Sequence, residues 1–467
     1  VKKFILLALL VPALSLAIYD MKWFDLNHWR SPFYNDGRWG IDITQGAGVA
    51  AGTWPQPLHN CYVFGAGAWI GAVDTRVHAD TLVTDTYNPN SGGTEISPTL
   101  CRYWPEGDTN VLDRIYVHPG DWPPPQTRFP MAPQDPRSDM ELWCGFSDAD
   151  PSLHISPGRP LGIDVYLTVC GYDDSLAQDF FFLRYELANC SGDSIRQTYF
   201  GMVLDPDIGG GTDDMTGLIL DHLFQVGPDT IRVKNTGFAY DYDNIENPGG
   251  NWESGTPGAL VVMLLDAPGS LGLTAFKRFP IDIDPVTDAA QYLTLAGYNY
   301  RTGVYEPYDS TDLIPADVRM LLSTGPFDLA PDSTVTFWYA VICSPFGDSG
   351  QYPPGRDTSE LALRCKWARE YFERLSGIAE QPPTPRSVQP LATIVRGILF
   401  LPWDMTETRS GVSDRVPRPV LLDATGRRVM SLRPGANDVS RLPTGVYFVQ
   451  SPTGDRQSIV RKVVLTR

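Results

Sequence analysis

No stretch of this chain is both long and apolar enough to cross the roughly 30 Å of a bilayer's hydrocarbon core, and positive charge is in short supply. Thirty-seven Lys and Arg stand against 55 Asp and Glu, a formal net charge of −18. That balance argues against a nucleic-acid partner, because binding phosphates requires a concentrated cationic face that releases counterions. Catalytic signatures are equally thin. The six histidines (His28, His59, His78, His118, His154 and His222) show no HExxH or comparable ligand spacing, and no GxSxG elbow occurs. None of the seven cysteines (Cys61, Cys101, Cys144, Cys170, Cys190, Cys343 and Cys365) belongs to a CxxC pair, and their wide spacing argues against a zinc cluster.

What is present points to β structure. Forty-three Gly and 41 Pro supply turns between short strands, while 12 Trp and 21 Tyr exceed what a helical bundle carries. With 467 residues, 42% of them hydrophobic, the chain can bury more than one core, so two or three folded units are expected. Charge is unevenly spread: from Arg386 onward 13 Lys and Arg face six Asp and Glu, a net of +7 that leaves −25 for everything before it. Two separately shaped units follow from that contrast.

The first residues suggest a compartment. Lys2 and Lys3 precede an apolar run from Phe4 to Leu14, and Ser15-Leu16-Ala17 offers small residues at the −3 and −1 positions of a signal-peptidase site. Residues 1–17 are therefore read as a signal peptide cleaved after Ala17, since the run is too short to be a membrane anchor. Export would carry the cysteines into an oxidising environment, where either a partial disulfide framework or several buried free thiols is expected; the odd count leaves one unpaired.

Periodicity organises the middle of the chain. In Leu161 to Cys170, the apolar residues Ile163, Val165, Leu167 and Val169 alternate with Asp164, Tyr166 and Thr168, which predicts a half-buried strand. Phe181, Leu183, Tyr185 and Leu187 mark one face of a second strand, and the turn Asn189 to Asp193 leads to a third at Gln197 to Leu204, together a β-meander. Further strands are expected at Ala259 to Leu265 and Val335 to Cys343, the latter preceded by turn residues from Gly325 to Thr334. One amphipathic helix is expected, with Asp357 and Glu360 at its start, an apolar stripe of Leu361, Cys365, Ala368, Phe372 and Leu375, and Gly377 ending it. The tract Asp121 to Pro125 cannot continue a ladder, because proline lacks the N–H donor.

Glu380 to Pro385 is Pro-rich and polar, a semi-rigid spacer. Beyond it Val420 to Leu422 and Arg428 to Met430 flank the turn Asp423-Ala424-Thr425-Gly426, and Gly445 to Val449 and Ile459 to Leu465 flank another turn at Pro452 to Asp455. The runs Leu422 to Val429, Leu442 to Phe448 and Lys462 to Leu465, in that order at the end of the chain, resemble the type A C-terminal sorting domain of type IX secretion cargo. That resemblance covers about the last eighty residues, with Asp423, Gly426, Arg427, Gly445, Tyr447 and Lys462 as its motif positions. It implies a small immunoglobulin-like sandwich, recognition by the outer-membrane secretion machinery, and delivery to the cell surface or medium. The body resembles the uncharacterised bodies that accompany such domains, on its Asp205 to Gly209 and Gly325 to Phe327 segments and the helix that follows; this implies no activity.

The expected organisation is thus a signal peptide (1–17), a β-rich body (18–378) with a subdivision near 120–160, a linker (379–390) and a C-terminal domain (391–467). The fold class is mainly β, a β-sandwich body (one sandwich or two packed together) with one amphipathic helix and a small C-terminal sandwich. The main candidate site is the run Asp205 to Asp214, where Asp205, Asp207, Asp213 and Asp214 lie among glycines at the end of a predicted strand. Either they hold Ca²⁺, which takes roughly six to eight oxygen ligands, with Asp221, Asp241 and Asp243 joining, or they form a solvated turn. The spacing is not that of an EF-hand. Paired acids of the kind a glycosidase uses discriminate nothing in so acidic a chain, and His222 beside Asp221 is read first as a surface hydrogen bond. The leading functional expectation is a non-enzymatic surface or secreted protein. The alternative is an extracellular hydrolase or carbohydrate-binding protein in which Trp39, Trp54, Trp69, Trp104, Trp122 and Trp143, in the loop-rich first third, stack on surface glycans.

Overall fold

A computed structural model describes residues 19–45, 48–76, 80–107, 109–155, 157–309, 314–348, 356–376, 393–395, 398–401, 419–433, 435–452 and 458–466. The chain separates into two compact units, Val1–Ala379 and Glu380–Arg467. The signal-peptide and linker readings fall outside the described residues.

Strands whose side chains alternate between two apolar sets need cover on both faces, and the body meets that need with two stacked sheets. The larger runs in the order Asp214–Val226, Asp229–Asp241, Gly258–Asp266, Thr334–Pro345, Phe180–Asn189, Ile163–Gly171, Met140–Ser147 and Tyr116–His118. The smaller runs Ala275–Pro280, Val318–Leu329, Ile195–Pro206, Cys61–Asp74 and Gly52–Thr53, with Asp80–Asp85 also paired to Cys61–Asp74. Between them Phe181, Leu183, Tyr185, Leu187, Phe337 and Tyr339 of the larger sheet meet Ala68, Ile70, Phe200, Met202 and Leu322 of the smaller. Phe200 lies flat on Phe337, ring centroids 4.3 Å apart. Four N-terminal rings, Phe24, Trp29, Phe33 and Trp39, close around Phe181 at 5.2–5.8 Å. Each such buried ring contributes on the order of 2–3 kcal/mol.

The outer faces are covered as well. Helix α2, Ser359–Leu375, lays the predicted stripe, with Ala362 and Tyr371, on Phe180, Phe182, Trp338, Ala340 and Ile342 of the larger sheet. Asp357 accepts the Ser359 N–H at 2.9 Å, while Glu360 does not close a capping box but pairs with Arg364 one turn on. Ser376 caps the C-terminus, and Gly377 lies outside the described residues. A second helix, α1 (Asp288–Leu295), was not expected: its eight residues are too few for a clear stripe, yet Tyr292 and Leu295 seal Trp69, Val203 and Leu321 on the far side of the smaller sheet.

Four sequence expectations change. Ile163–Gly171 is buried on both faces, because Leu100, Phe129 and Ala132 from the preceding loops cover Tyr166 and Trp143, which stack at 6.1 Å. The predicted meander does not form. Ile195–Pro206 pairs with Cys61–Asp74 and Val318–Leu329, so the chain leaves the larger sheet for the smaller at the Asn189 turn; alternation records which face is apolar, not which strand is the neighbour. Gly325-Pro326-Phe327, read as part of a turn, lies within Val318–Leu329, where an irregularity opposite Tyr199 accommodates the proline's missing donor. Nor does the body divide near 120–160: Cys61–Asp74 pairs with Ile195–Pro206 across that segment, and Met140–Ser147 within it joins Tyr116–His118 to Ile163–Gly171.

In the second unit Val420–Asp423 and Arg428–Ser431 form the expected hairpin, and Gly445–Pro452 pairs with Ser458–Leu465. A separate pair, Ile398–Leu401 with Gly435–Asp438, contributes Leu399 to a core with Leu421, Leu432, Val439, Tyr447, Val449, Val463 and Leu465.

Candidate functional site

The acidic run sits where the chain crosses between the sheets, from the end of Ile195–Pro206 to the start of Asp214–Val226. Glycine permits this path: Gly209 and Gly211 hold φ of +73° and +66°, and a Cβ on either would collide with the carboxyl group of Glu246 or Asp207 respectively. The crossover separates the four predicted ligands into distinct surroundings.

Asp205 and Asp207 meet Asp317, each offering an oxygen within 4.8 Å of the others. This group has a cation. Arg319 reaches Asp205 at 3.1 Å and Asp317 at 2.6 Å, and its Nε lies 3.9 Å from Asp284. Asp205 also accepts the Tyr87 hydroxyl on Oδ2, while its Oδ1 is buried with no protein partner. Burial pushes its carboxyl well above the usual range, with Asp207 and Asp317 adding to the shift and Arg319 opposing it. Asp207 is pushed up to about 7, by burial first and then by Asp317.

Asp213 joins Asp241 and Asp243 in a second set of oxygens within 4.8 Å, with Glu246 alongside. The charges that act on Asp213 and Glu246 are other carboxylates. Asp241 is pushed up to about 7 by burial and then by Asp213, Asp243 and Glu246. Backbone donors hold the loop: the Ile245 N–H reaches Asp241 and Asp243 at 3.0 and 2.9 Å, and the Gly210 N–H reaches Glu246 at 2.8 Å. Asp214 belongs to neither set. Fully buried, it accepts the Ile208 N–H on Oδ2 at 3.1 Å, and its Oδ1 has no protein partner.

All of these donors are carboxylate oxygens, a set suited to a hard divalent cation and ill suited to zinc or copper. The Asp213 set is the better cradle, because the Asp205 set is already partly neutralised by Arg319. Asp317, Arg319, Asp284 and Glu246 escape the sequence reading, since each comes from a segment more than thirty positions from Asp213 with no motif around it. Asp221 does not join. It pairs with Arg232 at 2.6 Å and Lys234 at 3.5 Å on an exposed hairpin, and His222, pointing to the opposite face, packs on Phe224 instead.

Aromatic stacking on sugars loses most of its basis. Trp39, Trp54, Trp69 and Trp143 are 0–7% exposed and belong to the packed core, leaving only Trp104 and Trp122 half-buried. A cavity of about 330 Å³ instead opens beside the smaller sheet, with Lys277, Arg278, Arg301, Tyr298, Tyr300 and Asp309 in its wall. Asp309 is engaged by Lys277 and by the Arg278 N–H, so among the described residues its wall offers no pair of free carboxylates of the kind glycoside hydrolysis uses.

In the second unit Asp423 organises its turn, accepting the N–H groups of Thr425 and Arg427 at 3.0 Å and pairing with Arg427 Nε at 3.0 Å. Gly426 has a φ of +83°. Tyr447, opposite Asp423 in the sheet, is buried and donates its hydroxyl to Pro443 O at 2.9 Å. Gly445 opens its strand, and the Lys462 backbone pairs with Phe448.

No family model matches the chain, and no curated protein matches it. Among solved structures a polysaccharide lyase aligns at 7% identity and a TM-score of 0.24, over 96% of this chain and 46% of the lyase. The chain thus spans about half of that protein's length, and a likeness so slight carries no argument about fold or activity.

Proposed function

We propose that the chain is an exported, non-enzymatic protein of the outer-membrane surface or extracellular medium, reached through the periplasm, and that residues 391–467 are a sorting signal read by the outer-membrane secretion machinery. The observation that carries this reading is the compactness of Glu380–Arg467 around a core of its own, which suits a module recognised separately from its cargo. Residues 1–17 act as the signal peptide. Among the described residues no helix is long and apolar enough to cross a membrane. Expression in a host with type IX machinery tests the proposal: the full chain is expected at the surface or in the medium, whereas a chain lacking 380–467 stays in the periplasm. Equal appearance of both outside the cell overturns it.

Calcium is the cation proposed for Asp213, Asp241 and Asp243, with Glu246 supplying a further oxygen; its role is to fix the crossover between the sheets rather than to catalyse. A second reading, binding of surface glycans, is favoured by the cavity at Arg301, where Arg278, Arg301 and two tyrosines suit an acidic saccharide while Lys277 is held by Asp309. Calorimetric titration with acidic oligosaccharides, compared with Arg301→Ala, tests it; identical heats for both proteins would dismiss it.

A further inference from the structure

Cys101 and Cys190 are far apart in sequence and adjacent in space. Their sulfurs, with a carboxylate oxygen of Asp164, lie within 4.8 Å of one another. Each is anchored by its backbone: the Cys101 N–H donates to Asp164 Oδ1 at 2.7 Å, and the Cys190 N–H donates to Gly162 O at 2.8 Å. Cys101 opens a 3₁₀ turn, Cys101–Glu106, beside the loops that cover Trp143 and Tyr166; Cys190 sits in the turn where the chain leaves the larger sheet for the smaller. Cys190 is exposed and Cys101 half-buried, whereas Cys61, Cys144, Cys170, Cys343 and Cys365 are buried.

We infer that Cys101 and Cys190 are a disulfide site, closed by thiol–disulfide exchange once the folded body meets an oxidising compartment. The placement of the pair stands on the structure alone; its use in the cell rests on the export reading above. The reaction consumes one external disulfide, such as that of a periplasmic oxidoreductase or oxidised glutathione. The exposed Cys190 thiolate attacks it, forming a mixed disulfide and releasing one thiol. Cys101 then attacks the Cys190 sulfur and expels the second thiol, so both cysteine protons end on the two released thiols and two electrons pass to the external disulfide. Contact with the Cys190 thiol, burial, and the Asp164 and Asp148 carboxylates all push the Cys101 thiol upward. The reduced pair therefore lacks the stabilised thiolate of a strongly oxidising dithiol.

The cross-link would close a loop of about 90 residues and pin the covering loops to the sheet crossover, which predicts a melting temperature about 6 °C above that of the reduced chain. The purified full chain, first reduced and then incubated with oxidised glutathione, is expected to lose two alkylatable thiols of its seven and to yield a Cys101–Cys190 linked peptide by mass spectrometry. Cys190→Ser and Cys101→Ser should each abolish the linked peptide and the thermal gain while folding normally. Alkylation of both cysteines after oxidation, or linkage of either to another cysteine, overturns the inference. So does stoichiometric Zn²⁺ retained by the reduced chain, released by Cys190→Ser and protecting both thiols from glutathione, which would make the cluster a metal site. A linked peptide in vitro with both thiols free in protein isolated from the producing cell would support the site and count against export.

Discussion

Replacing Asp213 by Asn is expected to change stability in opposite directions depending on calcium. Oxygens of Asp241 and Asp243 lie within 4.8 Å of an Asp213 oxygen, and at an effective dielectric near 20 each ionised pair would repel by roughly 3 kcal/mol. Asp213 is half-exposed, so solvent screening and partial protonation reduce the relief on removing its charge to about 1 kcal/mol. For a body of about 360 residues, 1 kcal/mol corresponds to about 1.3 °C in melting temperature. In EGTA, Asp213→Asn should therefore melt about 1 °C higher than wild type. With calcium at about 100 times its Kd, wild type gains about 2.7 kcal/mol, or about 3.5 °C, and the variant, lacking a ligand charge, should lose most of that gain. Scanning calorimetry in EGTA and in millimolar calcium, with magnesium as the control for a cation that resists irregular cages, measures both signs. An equal shift of both proteins by calcium, or no wild-type shift, would refute the cradle.

Three further outcomes are expected. His154 lies 3.2 Å from Glu95 and 2.9 Å from the Asp148 carbonyl, contacts that outweigh the lowering effect of burial and hold it up at about 9. A raised histidine contributes stability that is complete below about pH 6.5 and lost as pH rises through 9, so the wild-type advantage over His154→Gln should shrink by about 3 kcal/mol across that window; parallel pH–stability curves would contradict the pairing. Phe200→Ala removes the ring stacked on Phe337 at the centre of the sandwich and should cost about 3–5 kcal/mol by denaturant titration, a loss under 1 kcal/mol being incompatible with that packing. Residues 19–379 expressed alone should unfold cooperatively, since Val1–Ala379 is a compact unit with its own cores; a molten chain with dispersed exchange would sink the two-unit description.

Much of the body was legible because period two is a local property. The faces of Phe180–Asn189 and Thr334–Pro345, the stripe of α2 and the hairpin at Asp423 follow from residues a few positions apart, and the side-chain directions that make them are fixed by backbone geometry alone. Pairing is not local. Whether Ile195–Pro206 lies beside Phe180–Asn189 or in the opposite sheet depends on which strands compete for its ladder, and Cys61–Asp74 and Val318–Leu329 win it from more than a hundred positions away.

The same division runs through the candidate sites. Composition and sequence order determined that the chain is β-rich and acidic, with carboxylates gathered in the glycine-bearing run from Asp205 to Asp214. Only tertiary structure decided that Asp213 belongs with Asp241 and Asp243, that Arg319 claims Asp205, that Trp39, Trp54, Trp69 and Trp143 are core, and that Cys101 faces Cys190. The physical reason is range. Strand faces are set by torsions within a few residues, whereas charges and sulfurs act through space, and their neighbours exist only once the two sheets have closed on each other.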